Sequence, residues 1–254
     1  MTEWKLTEHC PIAASQAFRD LDTVFELTGE RIAAGPLNEM IRLEVDTCRY
    51  FVKRYTRPGK NPLRYWLGSP RVRNEWRNLQ RFSDWGIPTA SLIGYGLERR
   101  FGQFIRGALI TSEIPDTIDL SRLLRTEPGY FRDRTRFSRL CHDLAGIVNS
   151  MHRRGFTHND LHGRNVLYQL TTGQLFLIDC PNGSFWFGPL LTYRKVKDLA
   201  CLDKFAKDHL SQSQRLRFFL AYVGHQRLQA DDKRLLRAVF CAHKRRRIRK
   251  RLLP

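Results

Sequence analysis

The chain has 254 residues, 42% hydrophobic and 27% charged, a globular composition that excludes a disordered or fibrous protein. Lys and Arg number 44 against 25 Asp and Glu, a formal charge of +19, so the working partner is expected to be polyanionic: nucleic acid, an acidic membrane surface or a phosphorylated substrate. The amino terminus lacks a secretory pattern, and no apolar run approaches the roughly 18 residues that cross a bilayer. The six cysteines form no C-x-x-C pair, which predicts reduced thiols in a soluble intracellular protein rather than a disulfide framework or a zinc site.

Taken in order, the first half reads as short β-like runs broken by Gly and Pro. Thr23–Thr28 is followed by Gly29 and then Gly35-Pro36, and Met40–Val45 and Arg49–Tyr55 read as consecutive strands. From Val72 to Trp85 the period changes to that of a helix, with Trp76, Leu79 and Phe82 on one stripe, closed by Gly86-Ile87-Pro88. Strands are predicted again over Ala90–Tyr95 and Phe104–Thr111. Past Glu113-Ile114-Pro115, the apolar positions Phe137, Leu140, Cys141, Leu144, Ile147, Val148 and Met151 define an amphipathic helix that stops at Arg154-Gly155. A hairpin follows, Asn165–Leu170 and Gln174–Ile178 around Thr171-Thr172-Gly173, and the chain from Tyr193 is mainly helical by pattern. A strand-rich front and a helix-rich back predict an α+β fold of two lobes: 1–112, 113–243, and a basic tail over 244–254.

The segment richest in chemistry is Thr157-His158-Asn159-Asp160-Leu161-His162-Gly163-Arg164-Asn165, which contains H-x-D-x-x-x-x-N; fourteen residues beyond Asn165 lies Asp179. The motif follows a helix end and precedes a hairpin, the context that gives such a signature meaning. Phosphoryl transfer needs these residue types. A carboxylate, Asp160, accepts the hydrogen bond and then the proton of an incoming hydroxyl. Magnesium takes hard oxygen ligands, here the Asn165 amide oxygen and the Asp179 carboxylate. The same chemistry asks for a front-lobe lysine on the ATP phosphates and a helical glutamate to hold it; Lys53, in Tyr50-Phe51-Val52-Lys53, and Glu75, in Asn74-Glu75-Trp76, fit.

These stretches resemble the protein-kinase-like fold and, within it, the bacterial lipopolysaccharide core sugar kinases, the heptose and Kdo kinase group that includes the InaA-type proteins. The resemblance runs through Tyr50–Lys53, Glu75-Trp76 to Pro88, Thr157–His162, Lys197-Asp198-Leu199-Ala200 and Gln214–Phe219, roughly residues 23–223. It implies a small antiparallel-sheet N-lobe, a reduced helical C-lobe, and ATP- and magnesium-dependent phosphorylation of a core sugar, with heptose the expected one. It further implies a lipid A-core acceptor at the cytoplasmic face of the inner membrane of a Gram-negative cell, and that Asp198 braces the catalytic loop from behind.

Departures from regulated protein kinases narrow the substrate. Asn159 stands where they carry Arg, Asp179-Cys180-Pro181 replaces Asp-Phe-Gly, His162 occupies a lysine position, and the front hairpin Leu27–Gly35 has no G-x-G-x-x-G. Only 75 residues follow Asp179, so a protein substrate is disfavoured. The tail Lys244–Arg251 carries seven cations in eight residues and is expected to meet the phosphorylated acceptor or an anionic inner-membrane surface; no specific nucleic-acid target is expected. The alternatives are a phosphotransferase for another small acceptor, which the basic charge argues against for cationic compounds, and a non-catalytic pseudokinase, which the presence of all five functional side chains argues against.

Overall fold

The computed structural model describes residues 1–8, 10–59, 66 and 68–252, the last ten as backbone alone. The chain divides into two compact units, Met1–Pro115 with Asp179–Asn182, and Asp116–Ile178 with Gly183–Pro254. Four residues that the sequence reading left in the helical lobe therefore belong with the sheet.

The first unit is one antiparallel sheet of six strands: β1 (Thr2–Leu6), β2 (Glu30–Ala34), β3 (Asn38–Val45), β4 (Cys48–Tyr55), β5 (Leu92–Arg100) and β6 (Gln103–Ser112), in the order β1-β5-β6-β4-β3-β2. Because side chains alternate along a strand, β4 presents Tyr50 and Val52 to one face and Lys53 and Tyr55 to the other. Tyr50 and Val52 enter a core with Ala14 and Phe18 and with Leu21 and Val24, from helices α1 (Ile12–Ala17) and α2 (Leu21–Glu26) and the turn between them. Helix α3 (Arg71–Asp84) buries Val72, Glu75, Trp76, Leu79 and Phe82, the predicted stripe with one carboxylate inside it.

Thr23–Thr28 is not a strand. Its Thr, Val and Phe are β-favouring, but Asp20 accepts from the Thr23 backbone N–H at 2.7 Å and starts a helix there. The helix is closed by Arg54, itself only 8% exposed, which donates to the Val24 carbonyl at 2.9 Å and to that of Leu27.

β1 lies against β5 over Gly96, paired with Trp4. A Cβ on Gly96 would stand 2.3 Å from Trp4 Cε3 and 2.5 Å from the Glu3 carbonyl oxygen, so the close approach of the edge strand requires glycine. Gly96→Val should cost about 1–3 kcal/mol and lower the thermal midpoint by about 2–4 °C per kcal/mol. Calorimetry, together with faster amide exchange over residues 2–6, checks this.

The second unit holds β7 (Thr117–Asp119), α4 (Leu120–Thr126), α5 (Arg134–Arg153), β8 (Phe156–Thr157), the hairpin β9 (Val166–Gln169) and β10 (Leu175–Leu177), β11 (Ser184–Phe185), α6 (Gly188–Ala206), α7 (Gln212–Val223) and α8 (Ala230–Leu252). α5 buries Phe137, Leu140, Cys141, Leu144, Val148 and Met151, and Gly155, at φ +74°, turns the chain out of it. Ser211 and Gln214 form a reciprocal cap at the start of α7. Between α4, α5, α6, α7 and α8 lies an apolar cavity of about 480 Å³, lined by Leu144, Leu199, Leu202, Phe219, Val239 and others. Among the described residues, no helix is long and apolar enough to cross a membrane. The basic tail continues the backbone of α8 to Leu252; its side chains, and residues 253–254, lie outside what is described.

Candidate active site

Lys53 and Glu75 meet because β4 turns Lys53 toward α3 and α3 turns its fifth residue inward. The Lys53 ammonium donates to Glu75 Oε1 at 2.9 Å and Oε2 at 3.0 Å, and to Asp179 Oδ1 at 2.7 Å. Tyr55, two residues along the same strand face and fully buried, donates its hydroxyl to Glu75 Oε2. Burial pulls the Lys53 ammonium down, but the oxygens of Glu75, Tyr55 and Asp179 outweigh it and hold the group well above its ordinary value, so it stays charged. Burial pushes the Glu75 carboxyl above its ordinary range, with Lys53 opposing.

The segment carrying Asp179 is fastened to α3. Asn78 Nδ2 donates to the Cys180 carbonyl at 2.7 Å, and Arg71 Nη1 donates to Asn182 Oδ1 at 3.1 Å. Asp179 adopts φ +56°, costly for a residue with a Cβ and therefore maintained by these partners. Its carboxylate is 40% exposed while that of Glu75 is 4% exposed; both bind the lysine, one from inside the unit and the other from its surface.

Asp160 and Asn165 lie in the second unit, on the loop between β8 and β9. Asp198, on α6 and 1% exposed, accepts the His158 N–H at 2.7 Å and the Asn159 N–H at 2.9 Å, one per carboxylate oxygen. These bonds hold Asn159 at φ +64°. His152 stands behind, 3.4 Å from Asp198 and 2.8 Å from the Tyr222 hydroxyl. The Asn159 amide donates to Ser184 Oγ at 3.0 Å, and its oxygen accepts from Arg194, whose guanidinium stacks 4.3 Å over the Trp186 ring. Asn159 is thus held by a hydroxyl, a guanidinium and a buried carboxylate.

Asn165 donates through Nδ2 to the Asp160 carbonyl at 2.9 Å. The Asp160 carboxylate is 46% exposed and 3.6 Å from His162 Nε2. Gly163 lets the loop pass between α4 and α6: a Cβ there would lie 2.5 Å from Ser121 Oγ and 2.8 Å from Phe205. Of the five residues singled out in the sequence, Lys53, Glu75 and Asp179 form one cluster in the first unit, and Asp160 and Asn165 share one loop in the second.

Sequence reasoning missed Tyr55, Asn78 and Arg194. Only Tyr55 left a signal, its two-residue offset from Lys53 on a strand.

Among the described residues no three His, Cys, Asp or Glu side chains gather as a metal cage. The Asn165 amide oxygen and the Asp179 carboxylate are each hard oxygen donors of the kind that magnesium takes, with waters and phosphate oxygens as its other ligands.

The sequence profile of the "Lipopolysaccharide kinase (Kdo/WaaP) family" matches residues 19–222. The "Lipopolysaccharide core heptose(I) kinase WaaP" of Pseudomonas aeruginosa is 30% identical over 129 residues, 47% of this chain and 47% of that protein, so the aligned part spans about half of the curated relative. The solved structure "WaaP in complex with acyl carrier protein" superposes with a TM-score of 0.72 and 25% identity, covering 98% of each chain. The α+β, protein-kinase-like fold expected from the sequence is the fold found.

Lys53→Met leaves Glu75 buried without a cation, at a cost of about 3–5 kcal/mol once the carboxyl is ionised in the unfolded chain. A carboxyl with a raised folded pKa is stabilising below its ordinary 4.5 and loses that contribution as pH climbs from there through the raised value. The variant's thermal midpoint should therefore fall further below wild type near about pH 8 than near about pH 5; an equal deficit at both pH values would contradict the assignment.

Proposed function

The chain belongs to the lipopolysaccharide kinase (Kdo/WaaP) family, and from that premise we propose that it transfers the γ-phosphate of ATP to a hydroxyl of a lipopolysaccharide inner-core sugar, with heptose the favoured acceptor. The observation that carries the reading is the Lys53 ammonium, held by a buried glutamate and reaching Asp179 at 2.7 Å. A fixed cation suits phosphate oxygens, and the half-open carboxylate beside it suits a metal.

Asp160 accepts the hydrogen bond of the acceptor hydroxyl and takes its proton as the bond to phosphorus forms. Asp198 keeps Asp160 in place by fixing the two residues before it. Lys53 offers its charge to the nucleotide phosphates, and Glu75 with Tyr55 stops that side chain from swinging away. Asn165 and Asp179 are the residues that would hold magnesium, which supplies charge neutralisation on the phosphates when bound. The catalytic surface would then work at the cytoplasmic side of the inner membrane, where ATP and an unfinished core lipid meet.

Asp160→Ala should lower kcat by about 10²–10⁴-fold, the usual range for a positioned general base, while leaving ATP affinity close to wild type. Calorimetry should detect magnesium-dependent ATP binding that weakens in Asp179→Asn. Equal turnover in the first variant, or no ATP binding by wild type, would overturn the reading.

A second partner is favoured by the cavity between α4, α5, α6, α7 and α8. The structural neighbour was solved with an acyl carrier protein. A leucine- and phenylalanine-lined space of about 480 Å³ lies within the usual range of ligand pockets and suits a carried acyl chain. An acylated carrier protein should co-purify with wild type and be lost from Leu202→Arg, as mass spectrometry would read.

A further inference from the structure

Large apolar side chains are exposed singly over most of the described surface, as is ordinary for a globular protein. One segment departs from this. Phe185 is 51% exposed, Phe187 85%, Leu190 54% and Tyr193 52%, four within nine consecutive residues. Outside this segment, no window of that length among the described residues holds more than two such side chains.

The segment is held in place by backbone bonds. Ser184 and Phe185 pair with Thr157 and Phe156, and the Trp186 N–H donates to the Gly155 carbonyl at 2.8 Å. Phe185 also rests edge-on against Phe156, ring centroids 5.2 Å apart. The chain then enters α6 through Gly188-Pro189, placing Leu190 and Tyr193 one turn apart on a single helix face. These side chains are presented by a hydrogen-bonded support and stand largely in solvent.

Within the two stretches of chain that form the patch, charge has one sign. No carboxylate occurs in residues 144–159 or 180–197, the two stretches that form it. Arg153 and Arg154 are exposed and immediately precede the glycine to which Trp186 is bonded. On the other side Lys195 and Lys197 are part-exposed, with the Lys197 ammonium 5.2 Å over the Tyr193 ring. α6 begins without a side-chain cap, so the positive end of a 19-residue helix adds to the same field. Exposed Phe, Leu and Tyr ringed by Lys and Arg match a lipid interface, where aromatic rings sit at headgroup depth and cations meet anionic headgroups. An acidic protein would answer the charge, but would not require two phenylalanines projecting on either side of a tryptophan.

We propose that residues 185–193 form an apolar wedge that docks the chain on an anionic lipid bilayer, with Arg153, Arg154, Lys195 and Lys197 as its cationic rim. The inference goes beyond the phosphotransfer reading and does not use the basic tail.

Vesicle co-sedimentation of the full chain tests it, with phosphatidylethanolamine–phosphatidylglycerol vesicles against phosphatidylcholine alone and no nucleotide present. Wild type should bind the anionic vesicles, and Phe187→Ser with Leu190→Ser should weaken binding about tenfold or more. Both side chains are largely in solvent, so an unchanged thermal midpoint is expected to show that the double variant is folded. At about 0.5 M salt, where screening removes most of the tail's attraction, wild type should keep a residual affinity that the double variant lacks. Brominated lipid should quench tryptophan emission in wild type and much less in Trp186→Phe. Undiminished binding by the folded double variant, no quenching difference, or wild type that ignores vesicles while binding an acidic protein would each overturn the wedge. Because the assay contains no nucleotide, its failure would leave the Asp160→Ala experiment unaffected.

Discussion

An ammonium group buried in a protein must be matched by carboxylate, and the arrangement of the first unit follows from satisfying Lys53. A lone buried charge costs several kcal/mol, so α3 is constrained to the sheet face where Glu75 can reach the lysine with both oxygens. Tyr55 adds a third hydrogen bond to Glu75, and Asp179 takes the remaining direction of the ammonium. Trp76, Leu79 and Phe82 bury the rest of the helix, supplying the hydrophobic free energy that makes the buried pair tolerable. The side chain best suited to meeting phosphate is thus also the one about which this unit is organised.

The second unit uses the same device with the signs reversed. Asp198 is a buried carboxylate, and its partners are backbone N–H groups of the loop that bears Asp160. Those two bonds stabilise the left-handed conformation of Asn159, which would otherwise relax. Ser184 and Arg194 complete the hold on Asn159 through neutral oxygens. The short stretch from Asp179 to α6 leaves no long loop whose ordering would depend on an added phosphate.

Lys53, Glu75, Asp160, Asn165 and Asp179 could be singled out from sequence because their setting is local: a strand, a helix after a loop, a motif ahead of a hairpin. The long helices α3 and α5 were readable for a similar reason, since fourteen or twenty residues carry several turns of apolar periodicity. What escaped depends on partners distant in sequence. α2 reads as strand by residue preference, and its end is set by Arg54, about thirty residues on. β1 is an edge strand defined by the glycine it covers, and β11 is two residues long, defined by β8. Asn78 and Arg194 are ordinary helical polar residues until Cys180 and Asn159 are placed beside them.

Assigning Asp179–Asn182 to the first unit bears on how the chain is made. The backbone passes from one unit to the other three times, after Pro115, after Ile178 and after Asn182. When the first 115 residues leave the ribosome, the sheet can form, but Lys53 still lacks an anion 126 positions downstream, and Asn78 and Arg71 lack the backbone and amide they bind. Completion of the amino-terminal unit therefore waits on synthesis of Asp116–Ile178, nearly half of the helical one, an order opposite to the domain-by-domain sequence common in larger proteins. The two units are distinct in packing yet inseparable in biosynthesis, and a fragment cut at residue 115 would be an unfinished protein rather than a domain.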